Sequence, residues 1–470
     1  MSRSLQTGSL PISARALRNQ SENPRFLRQL SVAFVVRLLG MVTTLGMHLI
    51  LARVLGIQSY GEFVQVLVWT ITLGVPGLLG MENAALRLAA HYRAKERPLQ
   101  LARFILQSLR WVALGGMIGG VLLASGAIVF RGSMSSTLFS TILMGACVIP
   151  LKNQLRINES ILQGLGSTTL SLTSSWVVPV MTSLAVLILA FLPAGQVTPG
   201  AAMAVHLGSV AVVLVLMTLV LRKRTSREDA TLPDKRLRQA WLAIGVPLML
   251  MSTAMLVQTQ GSTLLLGLFL GSEDVGHFYV VLRLATLLLF GSEAINLVLA
   301  PRFASYFAKN DFAHLQQAAT TAAVISASFV VLGGIILVFA GKTILELFGE
   351  GVESSYPALL VLVAGYLLSS CCGSVGYLMT MTGNQRASLK VFIATGIVHV
   401  LLCVLLIPTL GIIGAALSHG LTVAVWNISL ACYLKKYLGL TSYVKLPGLF
   451  HAPKESLDAD PRPVVARRAA

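Results

Sequence analysis

Four stretches of this chain, residues 111–130, 241–270, 318–341 and 355–384, run without a single charged side chain. A helix needs about 20 residues to cross the hydrocarbon core of a bilayer. Inside that core, backbone donors and acceptors must be satisfied within a helix or around a closed barrel. Barrel strands are about ten residues long and alternate in polarity, which these runs do not. Composition agrees: 11% of the 470 residues are charged, against about 25% in soluble domains, and the mean hydropathy is +0.78. The expected fold class is an all-α polytopic membrane protein.

Twelve spans are predicted, near 31–52, 63–85, 104–130, 137–157, 168–192, 201–221, 241–270, 277–300, 318–341, 356–382, 390–408 and 411–434. With the N-terminus in the cytoplasm, the inside segments collect 30 of the 36 Lys and Arg, a strong positive-inside bias. Both termini are therefore expected inside. The first apolar run has no small-residue cleavage site after it, so it reads as a retained span rather than a cleaved signal.

The two halves repeat. Shifting residues 46–87 by 215 positions lays LGIQSYGEF (55–63) on LGSEDVGHF (270–278), with 12 of 42 positions identical. The shift also sets Gly46 on Gly261, Ala85 on Ala300 and Arg87 on Arg302. Six spans return a chain to the same side, so the lobes relate by a parallel pseudo-twofold axis along the membrane normal. The expected organisation is a cytoplasmic segment 1–30, an N-lobe 31–221, a cytoplasmic linker 222–240, a C-lobe 241–434 and a cytoplasmic tail 435–470.

Several functions fall away. The net charge of +18 follows from the topology bias, and no basic domain exists to bind nucleic acid. Basic loops such as RKRTSR (222–227) can touch anionic membrane lipids. The five cysteines lie in spans with neither CxxC nor Cys/His spacing, so no disulfide or metal site is expected. GGMIGG (115–120) permits close helix contact but lacks the GxxxxGK[ST] pattern of a nucleotide loop. No loop outside the membrane is long enough for a catalytic domain, so the chain is not expected to be an enzyme. No cofactor is expected either, and the energy would come from proton or sodium coupling or from a gradient of substrate.

LARVLGIQSYGEF (51–63), followed by an apolar span and GMENAALRLAAHYRAK (80–95), resembles the opening of bacterial polysaccharide-export flippases. These are the O-antigen and exopolysaccharide translocases of the multidrug/oligosaccharidyl-lipid/polysaccharide (MOP) superfamily. APRFASYFAKND (300–311) and LMTMTGNQRASLK (378–390) are similar to that family's repeat elements. The resemblance implies movement of polyprenyl-pyrophosphate-linked oligosaccharide between leaflets of the bacterial inner membrane, by alternating access between two six-helix bundles. It also implies contact with polysaccharide polymerase or export machinery. The superfamily's drug and organic-cation antiporters share the twelve-span layout and are the alternative; a membrane-embedded glycan polymerase is a more distant one.

Ionisable groups inside spans cost a few kcal/mol each and tend to face a cavity or a partner. Arg meets phosphate with bidentate, charge-assisted bonds, so Arg37, Arg110 and Arg283 are assigned as cavity cations for a pyrophosphate. Snorkelling to headgroups is the other reading for Arg37 and for Arg110, which lies close to its cytoplasmic end. Glu293, flanked by small residues, is the candidate for ion coupling; an ion pair with a cation on another helix is its other reading. Arg87 and Arg302, equivalent in the repeat, are expected to anchor the cytoplasmic ends of their spans and to form an inward gate. Lys152, Arg156 and Glu159 share one helical face, where a salt bridge at the cytoplasmic mouth, internal Arg156–Glu159 or cross-helix, is expected. His48, His206, His399 and His419 show no ligand spacing and read as packed, hydrogen-bonded histidines. Asn83, Asn158, Gln163, Gln258 and Gln260 could bind sugar hydroxyls in a cavity, but linking helices across the bundle is the favoured reading for any one of them.

Overall fold

The computed structural model describes residues 24–192, 197–225 and 234–443, and every element in it is helical. Most of the expected cytoplasmic segment 1–30, the middle of the linker and the end of the tail lie outside the described residues. The N-lobe begins with α1 (Pro24–Leu55), α2 (Ile57–Gly77) and α3 (Met81–Ala94). It continues with α4 (Pro98–Val129), α5 (Ser136–Gly164), the short α6 (Thr168–Ser171), α7 (Ser174–Phe191) and α8 (Pro199–Arg224). The C-lobe comprises α9 (Lys235–Phe269), α10 (Ser272–Thr286), α11 (Phe290–Ala308), α12 (Phe312–Glu346), α13 (Tyr356–Cys371), α14 (Val375–Met381) and α15 (Gln385–Leu438).

Ten of these helices are long and apolar enough to span a membrane, and α2 with α3 make an eleventh span bent by 49°. The twelfth is hidden in α15, which has 54 residues. His399 Nδ1 lies 2.9 Å from the Thr422 hydroxyl, whereas 23 residues of straight helix would separate them by about 35 Å. The chain doubles back at Gly411, whose φ of 59° and ψ of −132° suit a residue without Cβ. Apolar side chains such as Ile118, Phe191 and Phe339 are 61%, 87% and 84% exposed. Outward burial in lipid accounts for such exposure; solvent does not.

The repeat motif lies where the lobes cross. Residues 57–62 and 272–276 were expected in loops outside the membrane, but they are helical, and Gly56 alone separates α1 from α2. A Cβ on Gly61 would sit 1.6 Å from the Ser272 carbonyl oxygen, and one on Gly276 would sit 2.5 Å from that of Ile57. Gly61 and Ile57 shift by 215 onto Gly276 and Ser272, so this is one contact made twice about the pseudo-axis. The next motif position is also used twice. Glu62 accepts from the Ser135 hydroxyl at 2.9 Å, and His277 Nδ1 lies 3.0 Å from that of Ser355. Ser135 and Ser355 stand at the N-cap positions of α5 and α13, so each lobe ties its repeat helix to its fourth span.

This crossing lies at the end of the bundle opposite the basic loops, here termed the far end. Arg53 adds to it, donating to the Leu347 and Glu346 carbonyls at 2.5 and 2.7 Å, the acceptors a helix C-terminus leaves free. One buried apolar cluster at this end, with Tyr60, Phe63, Phe278 and Tyr279, is shared by both lobes. Toward the basic end the core divides. One cluster belongs to the N-lobe with Trp241 of α9, and another belongs to the C-lobe alone. The lobes share one core at the far end, and toward the basic end, among the described residues, they touch through α3 and α9, where Trp241 enters the N-lobe cluster.

Candidate functional site

Arg283 lies 11 residues into α10, about 16 Å from its start, near the middle of a core about 30 Å thick. Its own helix supplies its first partner. Tyr279, one turn earlier, places its ring 4.6 Å beneath the guanidinium, and its hydroxyl accepts from Arg283 Nη2. Tyr279 in turn packs edge-on against His48, with centroids 5.1 Å apart, and His48 Nδ1 lies 3.2 Å from the Tyr60 hydroxyl. Among the described residues Arg283 has no carboxylate partner, and its Nε has no hydrogen-bond partner.

Three cavities meet at this side chain. The first, about 320 Å³, lies between α1 and α10 and is also lined by Arg37. The second, about 310 Å³, enters the C-lobe. The third, about 250 Å³, enters the N-lobe and is lined by Lys152, Arg156, Glu159, His48 and His206. A smaller space of about 190 Å³ adjoins Arg37 and Glu293. These cavities carry Arg37, Lys152, Arg156 and Arg283 against Glu159 and Glu293. The lining is net cationic.

The sequence-predicted residues distribute unevenly over this site. Arg37 pairs with Glu293 at 3.1 Å across α1 and α11, both half-exposed, so Glu293 takes the cross-helix ion pair. Of the two bridges expected at the cytoplasmic mouth, internal Arg156–Glu159 or cross-helix, the cross-helix one forms: Arg156 pairs with Glu82 of α3 at 3.5 Å, while Glu159 accepts from Ser174. Arg110 is a correction. It is exposed on α4, is not among the cavity-lining residues, and lies roughly 200° around the helix from buried Val112. Helix α4 turns its glycines inward, Gly115 against Gly77 and Gly116 against Pro150, which leaves Arg110 on the outer face. Arg87 is exposed on α3, beyond the bend of its span, and Arg302 is exposed on α11. At that end the lobes meet instead through Trp241 Nε1 donating to the Tyr92 hydroxyl at 2.9 Å and Asn83 to that of Ser252 at 3.2 Å.

The four histidines are hydrogen-bonded within the bundle: His48 to Tyr60, His206 to Thr182, His399 to Thr422 and His419 to Tyr366. Sequence reasoning missed Tyr279, although its place four residues before Arg283 was a usable signal. It also missed Glu82, whose partner is 74 residues away with no local pattern to mark it.

Two lobes of membrane-length helices with a net-cationic cavity between them define a multi-pass membrane protein of two-lobe architecture. The chain matches the family described as Polysaccharide biosynthesis protein over residues 26–307 and belongs to it. It is 22% identical over 177 residues to the probable low-salt glycan biosynthesis flippase Agl15 of Haloferax volcanii, a match covering 37% of this chain and 38% of that one. Less than half the length of that relative is thus spanned.

Solved structures share the fold. A MATE family multidrug resistance transporter of the MOP superfamily, in an inward-facing conformation, superposes with a TM-score of 0.67 at 15% identity, covering 86% of this chain and 97% of that one. The same family in an outward-facing conformation gives 0.63 at 17% identity, with 86% and 94% covered. A MOP superfamily transporter from Pyrococcus furiosus, described as having a binding pocket of reversed polarity, gives 0.59 at 15% identity, with 89% and 96% covered.

Proposed function

We propose that this chain flips polyprenyl-pyrophosphate-linked oligosaccharide, an O-antigen or exopolysaccharide repeat unit, from the cytoplasmic to the outer leaflet of a bacterial inner membrane. The basic end faces the cytoplasm with both termini, as the placement of Lys and Arg supports. The observation that carries the reading is Arg283, a mid-membrane guanidinium at the junction of three cavities with no carboxylate partner among the described residues. A pyrophosphate is the ligand such a group suits, because the planar fork makes two parallel charge-assisted bonds to phosphate oxygens. Arg37, Lys152 and Arg156 surround its approach with like charge.

Cargo enters from the basic end once the α3–α9 contact opens, and release follows opening of the far end by rocking of one lobe on the other. Proton or sodium coupling acts at Glu293, because neutralising it would free Arg37 for an incoming phosphate. Basic loops rest on anionic headgroups, and polysaccharide polymerase or export machinery receives the flipped unit. The glycan flippase named among the relatives supports this cargo. The drug or organic-cation antiporter reading needs an acidic lining, which the four cations against two carboxylates oppose.

The test is depletion of the protein in cells followed by leaflet-specific labelling of lipid-linked glycan. Accumulation facing the cytoplasm, with loss of surface polysaccharide, is expected. Unchanged lipid-linked glycan would discard the reading and make organic-cation efflux the next assay.

A further inference from the structure

Helix α9 carries Gln258, Thr259 and Gln260 in the middle of an uncharged run of 30 residues. The two glutamines meet different surroundings. Gln258 donates to the Phe392 carbonyl at 2.9 Å and to the Thr395 hydroxyl at 2.8 Å, so it ties α9 to α15. Gln260 Oε1 is buried without a hydrogen-bond partner, and the residue lines the C-lobe cavity. Buried acceptors left unsatisfied are few in native proteins and call for a ligand, a water or a functional role.

The rest of that cavity is chemically unlike its N-lobe counterpart. Trp426 and Phe392 form an aromatic wall, with ring centroids 5.0 Å apart. Tyr366 and His419 face it, their hydroxyl and Nε2 3.0 Å apart. Among the lining residues Arg283 is the one Lys, Arg, Asp or Glu, whereas the N-lobe cavity also holds Lys152, Arg156 and Glu159. The volume of about 310 Å³ lies at the lower end of small-molecule pockets, about 300–1,000 Å³. Flat apolar rings with a few placed polar groups on otherwise neutral walls suit a sugar ring. Such a ring offers C–H faces to the aromatic wall and hydroxyl donors at its edge.

We propose that the C-lobe cavity is the saccharide subsite. The sugar next to the pyrophosphate rests on the Trp426–Phe392 wall and donates a hydroxyl hydrogen bond to Gln260 Oε1, while Arg283 at the mouth holds the phosphate. The cargo is thus divided, with the pyrophosphate met by Arg283 between the lobes and the N-lobe cations beyond it, and the glycan held in the C-lobe. This assignment rests on the glycan-flippase reading.

Two soluble probes separate the subsites: citronellyl pyrophosphate, and the same compound carrying a disaccharide. Binding of each to the purified full chain in detergent is measured by calorimetry. The unaltered protein is expected to favour the glycosylated probe at least about tenfold. Gln260→Leu, close in size but without the acceptor, lowers that ratio about 2–10-fold, and its melting temperature does not fall because the orphaned oxygen is gone. Trp426→Ala brings the ratio near one, and Trp426→Phe restores most of it. A ratio unchanged by Gln260→Leu and Trp426→Ala, with Arg283→Ala still weakening both probes, would overturn the subsite and leave the flippase reading standing. If neither probe binds the unaltered protein, both fall together.

Discussion

At the scale of single residues, the site turns on asymmetry inside a repeat. The 215-residue shift places Arg283 on Val68, which is fully buried, so the axis supplies no second cation opposite. Replacing Arg283 by Ala removes charge-assisted bonds worth roughly 1.5–3 kcal/mol each, and translocation of lipid-linked glycan in proteoliposomes should fall about 10–100-fold. Arg283→Lys keeps the charge but loses the fork, and its rate should lie between. Arg37→Gln should behave differently. Its pair with Glu293 joins two membrane spans, so the substitution leaves Glu293 without its cation. The melting temperature should fall by more than loss of a water-exposed pair, typically about 0–1 kcal/mol, would give. Arg283 was legible in the sequence because a lone cation deep in an apolar span demands an explanation. Arg110 was misread because its helix rotation depends on glycine contacts with α2 and α5 that no local pattern reveals.

At the scale of elements, span number was legible and span ends were not. Apolar length revealed the twelve crossings, including the two joined at Gly411, because hydrocarbon thickness fixes how long each must be. Helix α2 begins at Ile57 rather than at the predicted residue 63, because Gln58, Ser59 and Glu62 look like loop residues, whereas Gly61 packs on Ser272 across the lobes and Glu62 is buried against Ser135. Gly61→Ala tests that packing. A methyl group 1.6 Å from a carbonyl oxygen forces the helices apart, and overpacking of this kind costs about 1–3 kcal/mol, readable as a lower melting temperature. Helix α12 offers a pH test outside the membrane. Asp311 accepts from the His314 amide at 3.2 Å and lies 2.8 Å from His314 Nδ1. The His314 side chain and then its amide hold the Asp311 carboxyl below its ordinary range. A depressed carboxylate stabilises above its unfolded pKa and loses that contribution as pH falls through the folded value. The protection factor of the His314 amide, with the intrinsic exchange rate divided out, should therefore decrease below about pH 4, and in Asp311→Ala it should be low throughout.

For the whole molecule, the decisive contrast is between one shared core at the far end and separate cores toward the basic end. The repeat made two lobes legible. Their separation was not, because it depends on which faces of α3 and α9 meet. Those faces touch at Asn83 and Ser252. Cysteines at both positions, in a background without the five native ones, should be bridged by a short thiol-reactive linker, and transport should stop until the bridge is cleaved. Transport that continues through a complete bridge would mean that the lobes do not separate there.

The glycine crossing also sets leverage. Gly61 lies about 28 Å of helix from Gly80, whereas Gly276 lies only about 10 Å from Arg283. A turn of about 10° around the crossing would sweep the basic end through about 5 Å and displace Arg283 by about 2 Å. A fulcrum so close to the guanidinium lets the mouth swing widely while the grip on the cargo hardly shifts.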